Sequence, residues 1–284
     1  MQPCWGGLRP FVLRGGLDVD PGPPLPYSES PASPFFREAK EVHATVEALT
    51  DEQRAIARFW ADGPGTPTPA GHAVSILSQL VRGRGCTLDV AAEAYARVGI
   101  AAADAFVGCW AIKYKYNLLR PVTYIRNVID PAWRPFLDTP PFPEYVSGHA
   151  VQSGATMQVL TDLFGENLPF TDRTHEAPGL AARSFRSLLQ AGEEAASSRL
   201  YGGIHFRRPT SAASRWGVRS EGRSAGFGSE SDSRSSSCRS RSGTSRRCER
   251  YALSLRSGEG AARRRDAGTM CRRASVPDLE RARG

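Results

Sequence analysis

Apolar residues recur at helical spacing over much of the chain, and turn-forming residues separate the stretches that carry this pattern. Ile56, Phe59 and Trp60 lie at near-helical spacing after Thr50. Gln53 follows Thr50 by three residues, as in a capping box, where the two side chains satisfy free backbone N–H groups at a helix start. The pattern therefore predicts an amphipathic helix that begins after Thr50.

Two longer segments predict the centre of the fold. An alanine-rich stretch begins after Thr87 and runs to about residue 116, and its small side chains would let neighbouring helices pack closely. A second helix is predicted from Gly148 to about residue 164, with Gly165 as its C-cap. Its apolar residues recur every four positions, which indicates a buried stripe: Val151, Ala155, Val159 and Leu163.

Shorter helices are predicted over residues 35–49, 73–81 and 181–198, between loops rich in Gly and Pro. No stretch before residue 210 alternates apolar and polar residues as strands do. The expected fold class is therefore all-α, a helical bundle.

Composition divides the chain into three parts. Residues 1–34 form a Pro/Gly-rich leader, residues 35–209 a helical domain, and residues 210–284 an Arg/Ser-rich tail. The tail holds 17 arginines, eight acidic residues and no lysine, so its net charge is +9, while residues 1–209 have a net charge of −1 and the whole chain +8. The near-neutral helical domain gives no reason to expect a nucleic-acid partner. The composition of the tail alone is that of a disordered basic segment.

Targeting and redox signals are few. No run approaches the roughly 18 to 20 apolar residues that a membrane span needs, so we expect no membrane span and a soluble protein. The N-terminus lacks a basic region followed by an apolar core, so no signal peptide is expected. The six cysteines show no metal-type spacing, and the localisation stays open.

Three short stretches carry the candidate chemistry: KYKYNLLRP at 113–121, PEYVSGH at 143–149 and SRLYGGIH at 198–205. Cations offset the charge of a tetrahedral oxyanion, and backbone N–H groups at a helix start add a further anion-binding surface. One histidine can attack or coordinate the central atom while another moves protons. The candidate residues are Lys113, Arg120, Ser147, Gly148, His149, Arg199 and His205.

The pattern K-x6-R-P, then S-G-H, then S-R-x5-H resembles the signature of the type 2 phosphatidic acid phosphatase and vanadium haloperoxidase superfamily. The surrounding letters, FPEY before VSGH and RLYGGIHF at the end, are similar to the soluble vanadium-dependent haloperoxidase branch. The resemblance covers roughly residues 49–207. It implies the helical-bundle core of that superfamily, with the site between helices, and suggests that the domain is incomplete at both ends.

The resemblance implies a haloperoxidase reaction. Orthovanadate would bond to His205 as the metal ligand, and hydrogen peroxide would oxidise a halide to hypohalous acid, which passes to a small organic acceptor. His149 would be the catalytic base for the peroxide, and Lys113 would polarise it. The remaining residues would hold the vanadate oxygens together with Lys113: Arg120, Ser147, Gly148 and Arg199.

Four further residues were interpreted individually. Trp110 and Phe142 match aromatics that, by resemblance, line the halide pocket of the family. His72 reads as a loop histidine without a chemical role, and His175 reads as a surface residue in a polar loop.

Two other functions remain open. The same motifs fit a soluble acid phosphatase, in which His205 forms a phosphohistidine and His149 protonates the leaving group. The chain could also be an inactive copy that is truncated or frame-shifted, because the family pattern H-F-R-F-D reads H-F-R-R-P here. Pro209 replaces the Asp that would orient His205, and the tail resembles GC-rich sequence translated out of frame. A homo-oligomer is also left open.

Overall fold

The helix signals in the sequence account for most helix boundaries in the computed structural model, which describes residues 2–177 and 179–208. A short 3₁₀ helix at Trp5–Gly7 precedes the α-helices. The α-helices in chain order are α1 (Pro34–Glu47), α2 (Asp51–Phe59), α3 (Thr68–Arg84), α4 (Leu88–Tyr116), α5 (Pro121–Val128), α6 (Gly148–Phe164) and α7 (Leu188–Tyr201).

Local capping explains where several of these helices begin and end. Thr50 and Gln53 form the predicted capping box at the start of α2, so that prediction is confirmed. Helix α4 ends at Asn117, which adopts a left-handed conformation with φ 46°, and Pro121 then opens α5. Gly165 is the C-cap of α6, as predicted. A side-chain cap, a left-handed residue, a proline and a glycine therefore set these helix ends.

Helix α6 lies at the centre of the bundle. It packs most extensively against α7 on one side and α4 on the other, and α3 covers part of its surface. Its buried apolar side chains include Val151, Met157 and Leu160. The two predicted central helices are thus the two central helices of the fold.

The all-α expectation holds for the fold class, but one small sheet was missed. Strand β1 (Phe170–Asp172) pairs in antiparallel register with β2 (Arg183–Phe185), with Phe170 opposite Phe185. Each strand has three residues, which is too short for an alternating pattern to show in the sequence. The sheet also takes the start of the segment predicted as a helix over 181–198, so α7 begins only at Leu188.

Two further helix boundaries differ from the predictions. Helix α3 begins at Thr68 rather than residue 73, because the loop prolines lie just before and within its first turn, where proline is tolerated. Helix α5 was not predicted. It has only eight residues, and Arg120 immediately before it has extended backbone angles.

The Asp104 carboxylate of α4 holds one turn of the N-terminal leader. The backbone N–H groups of Phe11, Val12 and Leu13 donate to the Asp104 carboxylate at 2.7, 2.8 and 3.0 Å. Gly6 allows the close approach, since a Cβ atom there would lie 2.3 Å from the backbone nitrogen of Ala111. The leader is therefore an ordered cover of α4, on the side that carries Trp110.

One stretch of the described residues has the length and composition of a membrane span. It covers Leu88–Val128, and half of its most apolar window is buried inside the protein. A single such stretch is weak evidence, because the buried central helix of a bundle has the same composition. The prediction of no membrane span stays a prediction.

Replacing Asp104 with Ala should destabilise the fold, because three backbone N–H groups lose their charged acceptor. We expect a loss of about 2 to 3 kcal/mol in the free energy of unfolding, measured by urea denaturation. The matched control is Glu93→Ala on the same helix, which removes an exposed pair with Arg97 and should cost less than about 0.5 kcal/mol. Equal losses of stability in the two variants would contradict the role of the Asp104 carboxylate in holding the leader on α4.

Candidate active site

The three motif stretches converge where α4 ends, α5 and α6 begin, and α7 ends. Lys113 lies in the last turn of α4, and Arg120 is the N-cap of α5. Ser147 caps the start of α6, and its hydroxyl accepts a hydrogen bond from the backbone N–H of Ala150. Arg199 lies in the last turn of α7. The N-terminal end of a 17-residue helix therefore faces a group of cations, which favours negative charge between them.

Backbone carbonyls hold two of the three cations in place. Lys113 Nζ donates to the carbonyls of Pro143 and Glu144 at 2.8 and 3.0 Å. Arg120 donates through Nε to the Phe142 carbonyl and through Nη1 to the Ile204 carbonyl, both at 2.8 Å. The loop before α6 thus fixes the ends of both side chains before any ligand binds.

Several cationic donors are left without a partner. Arg120 Nη2, Arg199 Nε and Arg199 Nη2 are buried and have no hydrogen-bond acceptor among the described residues. Lys113 is fully buried, and Arg199 is 2% exposed. Burial lowers the pKa of Lys113 to about 8 and that of Arg199 to about 10. Because buried unpaired donors are costly, this arrangement fits an anion with several acceptor oxygens.

His205 lies among these cations. Its Nδ1 is 2.7 Å from Glu144 Oε1, and its Nε2 is 3.0 Å from Arg120 Nη1. Burial, followed by the charges of Arg120 and Lys113, holds the pKa of His205 well below its usual range. The ring is therefore neutral, and with the proton on Nδ1 its Nε2 lone pair faces the cations.

Glu144 is the carboxylate that sequence reasoning missed. Its Oε1 also accepts the backbone N–H of Phe206 at 3.0 Å, and the side chain is fully buried. Burial raises the pKa of Glu144 to about 7, while Arg120 and Lys113 act to lower it. It lies within the PEYVSGH stretch, but no local pattern there indicates that this side chain turns inward. Pro209, whose replacement of Asp suggested that His205 lacks an orienting partner, lies outside the described residues.

His149 occupies the first turn of α6. Its Nε2 is 3.0 Å from Arg199 Nη1 and 3.6 Å from Asp62 Oδ2. Burial and the Arg199 charge lower the pKa of His149 to about 4, and Asp62 only partly offsets them. Asp62 is the second acidic residue that the sequence did not reveal, since it lies in the Gly/Pro-rich loop after α2.

Aromatic rings form one wall of the site. Trp110 and Phe142 lie with ring centroids 5.1 Å apart, and Lys113 Nζ is 5.2 Å from the Phe142 centroid. The indole N–H of Trp110 is buried and has no acceptor among the described residues. Trp5 of the leader packs on Trp110 at 4.7 Å. The two rings singled out in the sequence are thus neighbours of Lys113.

Two interpretations of individual residues were wrong. His72 is not a loop residue but lies in α3, and it is buried. His175 is buried rather than on the surface, because the loop after β1 folds inward.

Comparison with known proteins agrees with this geometry. Residues 93–225 match a family model described as the VCPO second helical-bundle domain. The chain is similar to the crystal structure of a bacterial vanadium-dependent iodoperoxidase, with 42% identity and a TM-score of 0.76 over 78% of this chain and 56% of that one. Against a holo-type bacterial vanadium-dependent chloroperoxidase, the identity is 18% and the TM-score 0.64 over 80% and 54% of the two chains, which shows the fold alone.

A search of curated proteins found no match. The chain spans little more than half of the length of the solved structures that it matches. The motif residues, the helical fold and these similarities together support the assignment of the chain to the vanadium haloperoxidase and type 2 phosphatidic acid phosphatase superfamily.

His149 should be neutral down to unusually low pH, because its folded-state pKa of about 4 lies below the ordinary 6.5. In ¹⁵N-histidine spectra its ring should show a neutral tautomer at about pH 6, where an ordinary histidine is largely protonated. Since the pKa is depressed, folding loses stability through this group as pH falls from about 6.5 toward 4. A titration midpoint near 6.5 would contradict the described environment.

Proposed function

We propose that this protein is a vanadium-dependent haloperoxidase-like oxidoreductase, which uses hydrogen peroxide to oxidise halide to hypohalous acid. The observation that carries the proposal is the buried set of three guanidinium N–H donors of Arg120 and Arg199 that lack an acceptor among the described residues, together with the contact of Arg120 with His205 Nε2. A tetrahedral oxyanion would accept hydrogen bonds from these guanidinium groups, and its central atom would have a free position for the Nε2 atom of His205. Similarity to a bacterial vanadium-dependent iodoperoxidase at 42% identity supports the choice of vanadate.

The residues present fit orthovanadate. Arg120 and Arg199 supply the free donors, Lys113 adds a third positive charge, and the start of α6 contributes Ser147 and the backbone of Gly148. His205 offers Nε2 as the metal ligand, because Glu144 holds the proton of the other nitrogen. When bound, vanadate supplies a Lewis-acid centre that activates the peroxide without changing its own oxidation state.

His149 and Lys113 carry the proton and charge movements in this proposal. A neutral His149 accepts a proton from incoming hydrogen peroxide, and its low pKa keeps it ready to do so at neutral pH. Lys113 stabilises negative charge on the peroxide oxygen. The halide then gives two electrons to the O–O bond, which breaks. The proton held by His149 and one more from solvent complete hypohalous acid and water.

The aromatic wall supplies a site for the halide. The unpaired indole N–H of Trp110 and the charge of Lys113 both face a weakly hydrated surface that includes Phe142. A large, polarizable anion binds such a surface with less desolvation cost than a small one does. Hypohalous acid leaving this wall would meet a small organic acceptor.

A phosphatase is the second candidate, and one observation favours it. The hydrogen bond between His205 Nδ1 and Glu144 would orient Nε2 for attack on phosphorus, forming a phosphohistidine and releasing the alcohol with a proton from His149. Water would then release phosphate. The low pKa of His149 makes it a poor acid at neutral pH, so this chemistry would be confined to acidic solution. The third interpretation, an inactive frame-shifted copy, concerns residues outside those described and stays a prediction.

The direct experiment is oxidation of iodide and bromide by hydrogen peroxide on the purified protein, with and without orthovanadate. We expect turnover that requires vanadate and that excess phosphate suppresses, because phosphate competes for the same donors. Hydrolysis of a simple phosphate ester without halide oxidation would establish the phosphatase instead. The absence of both activities would favour the inactive copy.

Substitution of the two site histidines should separate binding from turnover. His205→Ala should abolish stoichiometric vanadate binding in equilibrium dialysis, since it removes the ligand atom. His149→Ala should keep vanadate and lower turnover by about 10² to 10⁴, the range of general acid–base catalysis. The control is His43→Ala, which removes a histidine paired with Asp130 outside the site and should change neither quantity. Vanadate binding by His205→Ala would refute the ligand assignment.

Glu144→Gln tests the carboxylate behind His205. Loss of the negative charge should weaken vanadate binding by about 10- to 100-fold, the range for partners that orient a metal ligand. Glu144→Asp should recover part of the affinity. Glu41→Gln is the control, because Glu41 pairs with Arg207 at the surface and should leave affinity unchanged. Wild-type affinity in Glu144→Gln would show that Glu144 does not support the ligand.

A further inference from the structure

A second buried polar cluster lies behind His149, outside the three motif stretches. Its centre is the ring of His72 in α3. His72 Nδ1 is 2.9 Å from Asp62 Oδ1, and His72 Nε2 is 2.7 Å from Asp172 Oδ2. These three side chains are almost completely removed from solvent. Both nitrogens of a single imidazole therefore face carboxylates at hydrogen-bond distance.

The ring of His72 cannot turn without disturbing the core. Trp60 stacks on one face, with ring centroids 4.5 Å apart and planes 18° from parallel. His175 meets the ring edge-on at 4.8 Å, and Phe59 packs edge-on at 5.5 Å. The indole face on His72 is also a favourable neighbour for a cation.

Asp172 is held as firmly as the ring that it faces. Its Oδ1 accepts the backbone N–H and the hydroxyl of Thr174 at 2.9 and 2.6 Å. Gln79 Nε2 donates to the same oxygen at 3.3 Å. The small sheet therefore positions this cluster, because Asp172 is the last residue of β1 and contacts His72 of α3.

The charges of the cluster follow from these contacts. The groups that face His72 are Asp62, Asp172 and His175, and those that face Asp62 on its other side are His149 and Arg199. Two carboxylates raise the pKa of His72 to about 9, although burial acts against them. Hydrogen bonds from the histidines hold the pKa of Asp62 well below its usual range, although burial opposes them. The cluster thus holds a cation between two anions.

We propose that His72 and Asp172 are positioning residues, which fix the ionised Asp62 carboxylate beside His149 and thereby set the electrostatic environment and orientation of that histidine. Hydrogen bonds run from Asp172 through His72 to Asp62, and His175 donates to Asp62 Oδ1 at 3.1 Å from the side. The last link is a charge contact, because Asp62 Oδ2 lies 3.6 Å from His149 Nε2. The proposed effect on turnover rests on the proposed function of His149, whereas the chain of contacts does not.

A divalent metal ion is the competing explanation of the same cluster. Asp62, His72 and His175 each offer one ligand atom, and these atoms lie within 4.8 Å of one another. A metal requires an unprotonated Nδ1 on His72 and an unprotonated Nε2 on His175. The separations of 2.9 and 3.1 Å from Asp62 Oδ1 are instead ordinary hydrogen-bond lengths. Placing protons on these nitrogens satisfies each contact without an ion.

The test is histidine-selective ¹⁵N labelling of the full chain, which has five histidines. In the wild type, both ring nitrogens of His72 should be protonated and unchanged between about pH 6 and pH 8. In Asp172→Asn, the titration midpoint of His72 should fall by about one to three pH units, and the resonances of His149 should move although Asp172 does not contact it. Thr174→Val, which only loosens Asp172, should give smaller changes in the same direction.

His43→Gln is the control in these spectra and should leave His72 and His149 unchanged. A neutral His72 at pH 7 in the wild type would overturn the proposal. His149 resonances that do not change in Asp172→Asn would also overturn it. Stoichiometric zinc in the purified protein, with metal-bound chemical shifts on His72, would overturn it as well. These outcomes need no activity, so they are independent of the haloperoxidase proposal.

Turnover then separates positioning from general loss of structure. Asp172→Asn should lower halide oxidation by about 10- to 100-fold, as removal of an outer hydrogen-bond partner does elsewhere. Vanadate affinity should be unchanged, because Asp172 lies away from the cations that hold the anion. Unchanged turnover, or an equal fall in turnover and vanadate affinity, would each overturn the positioning role.

Discussion

Three buried cations around one neutral histidine are the constraint on which the rest of this structure depends. Lys113, Arg120 and Arg199 are removed from water, and the acidic side chains that act on them within the described part of the chain are Glu144 and Asp62. A protein tolerates such an excess when a bound anion compensates it, because an unpaired buried charge costs several kcal/mol. The orphaned guanidinium donors show where that anion would lie.

The fold is arranged so that helix ends, rather than helix faces, meet at this point. The C-terminal ends of α4 and α7 bring Lys113 and Arg199, and the starts of α5 and α6 bring Arg120 and Ser147. The loop before α6 supplies carbonyls that hold the cations and the carboxylate that holds His205. The site is thus rigid because four helices already fix its backbone.

Sequence reasoning recovered the parts that depend on local signals. Capping chemistry predicted the start of α2 and the end of α6, and the three motif stretches picked out by their spacing lie together in the structure. The partners of the two site histidines could not be predicted in this way. Glu144 and Asp62 reach His205 and His149 across 61 and 87 residues of chain, and only tertiary packing selects them from the acidic residues present.

The same reason explains the errors on His72 and His175. Both follow loops rich in polar or turn-forming residues, a local pattern typical of the surface. Their burial depends on Asp62 and on a sheet whose strands are too short to show a period. Polar residues in buried networks carry no hydrophobic pattern, so contacts distant in sequence are what identify them.

A crystal structure grown with orthovanadate tests most directly whether the unpaired guanidinium donors of Arg120 and Arg199 bind a tetrahedral oxyanion beside His205. We expect density bonded to Nε2 of His205 and within hydrogen-bond distance of Arg120 Nη2 and of Arg199 Nε and Nη2. Vanadate bound elsewhere, or a site in which these guanidinium groups pair with protein acceptors and exclude the anion, would contradict it.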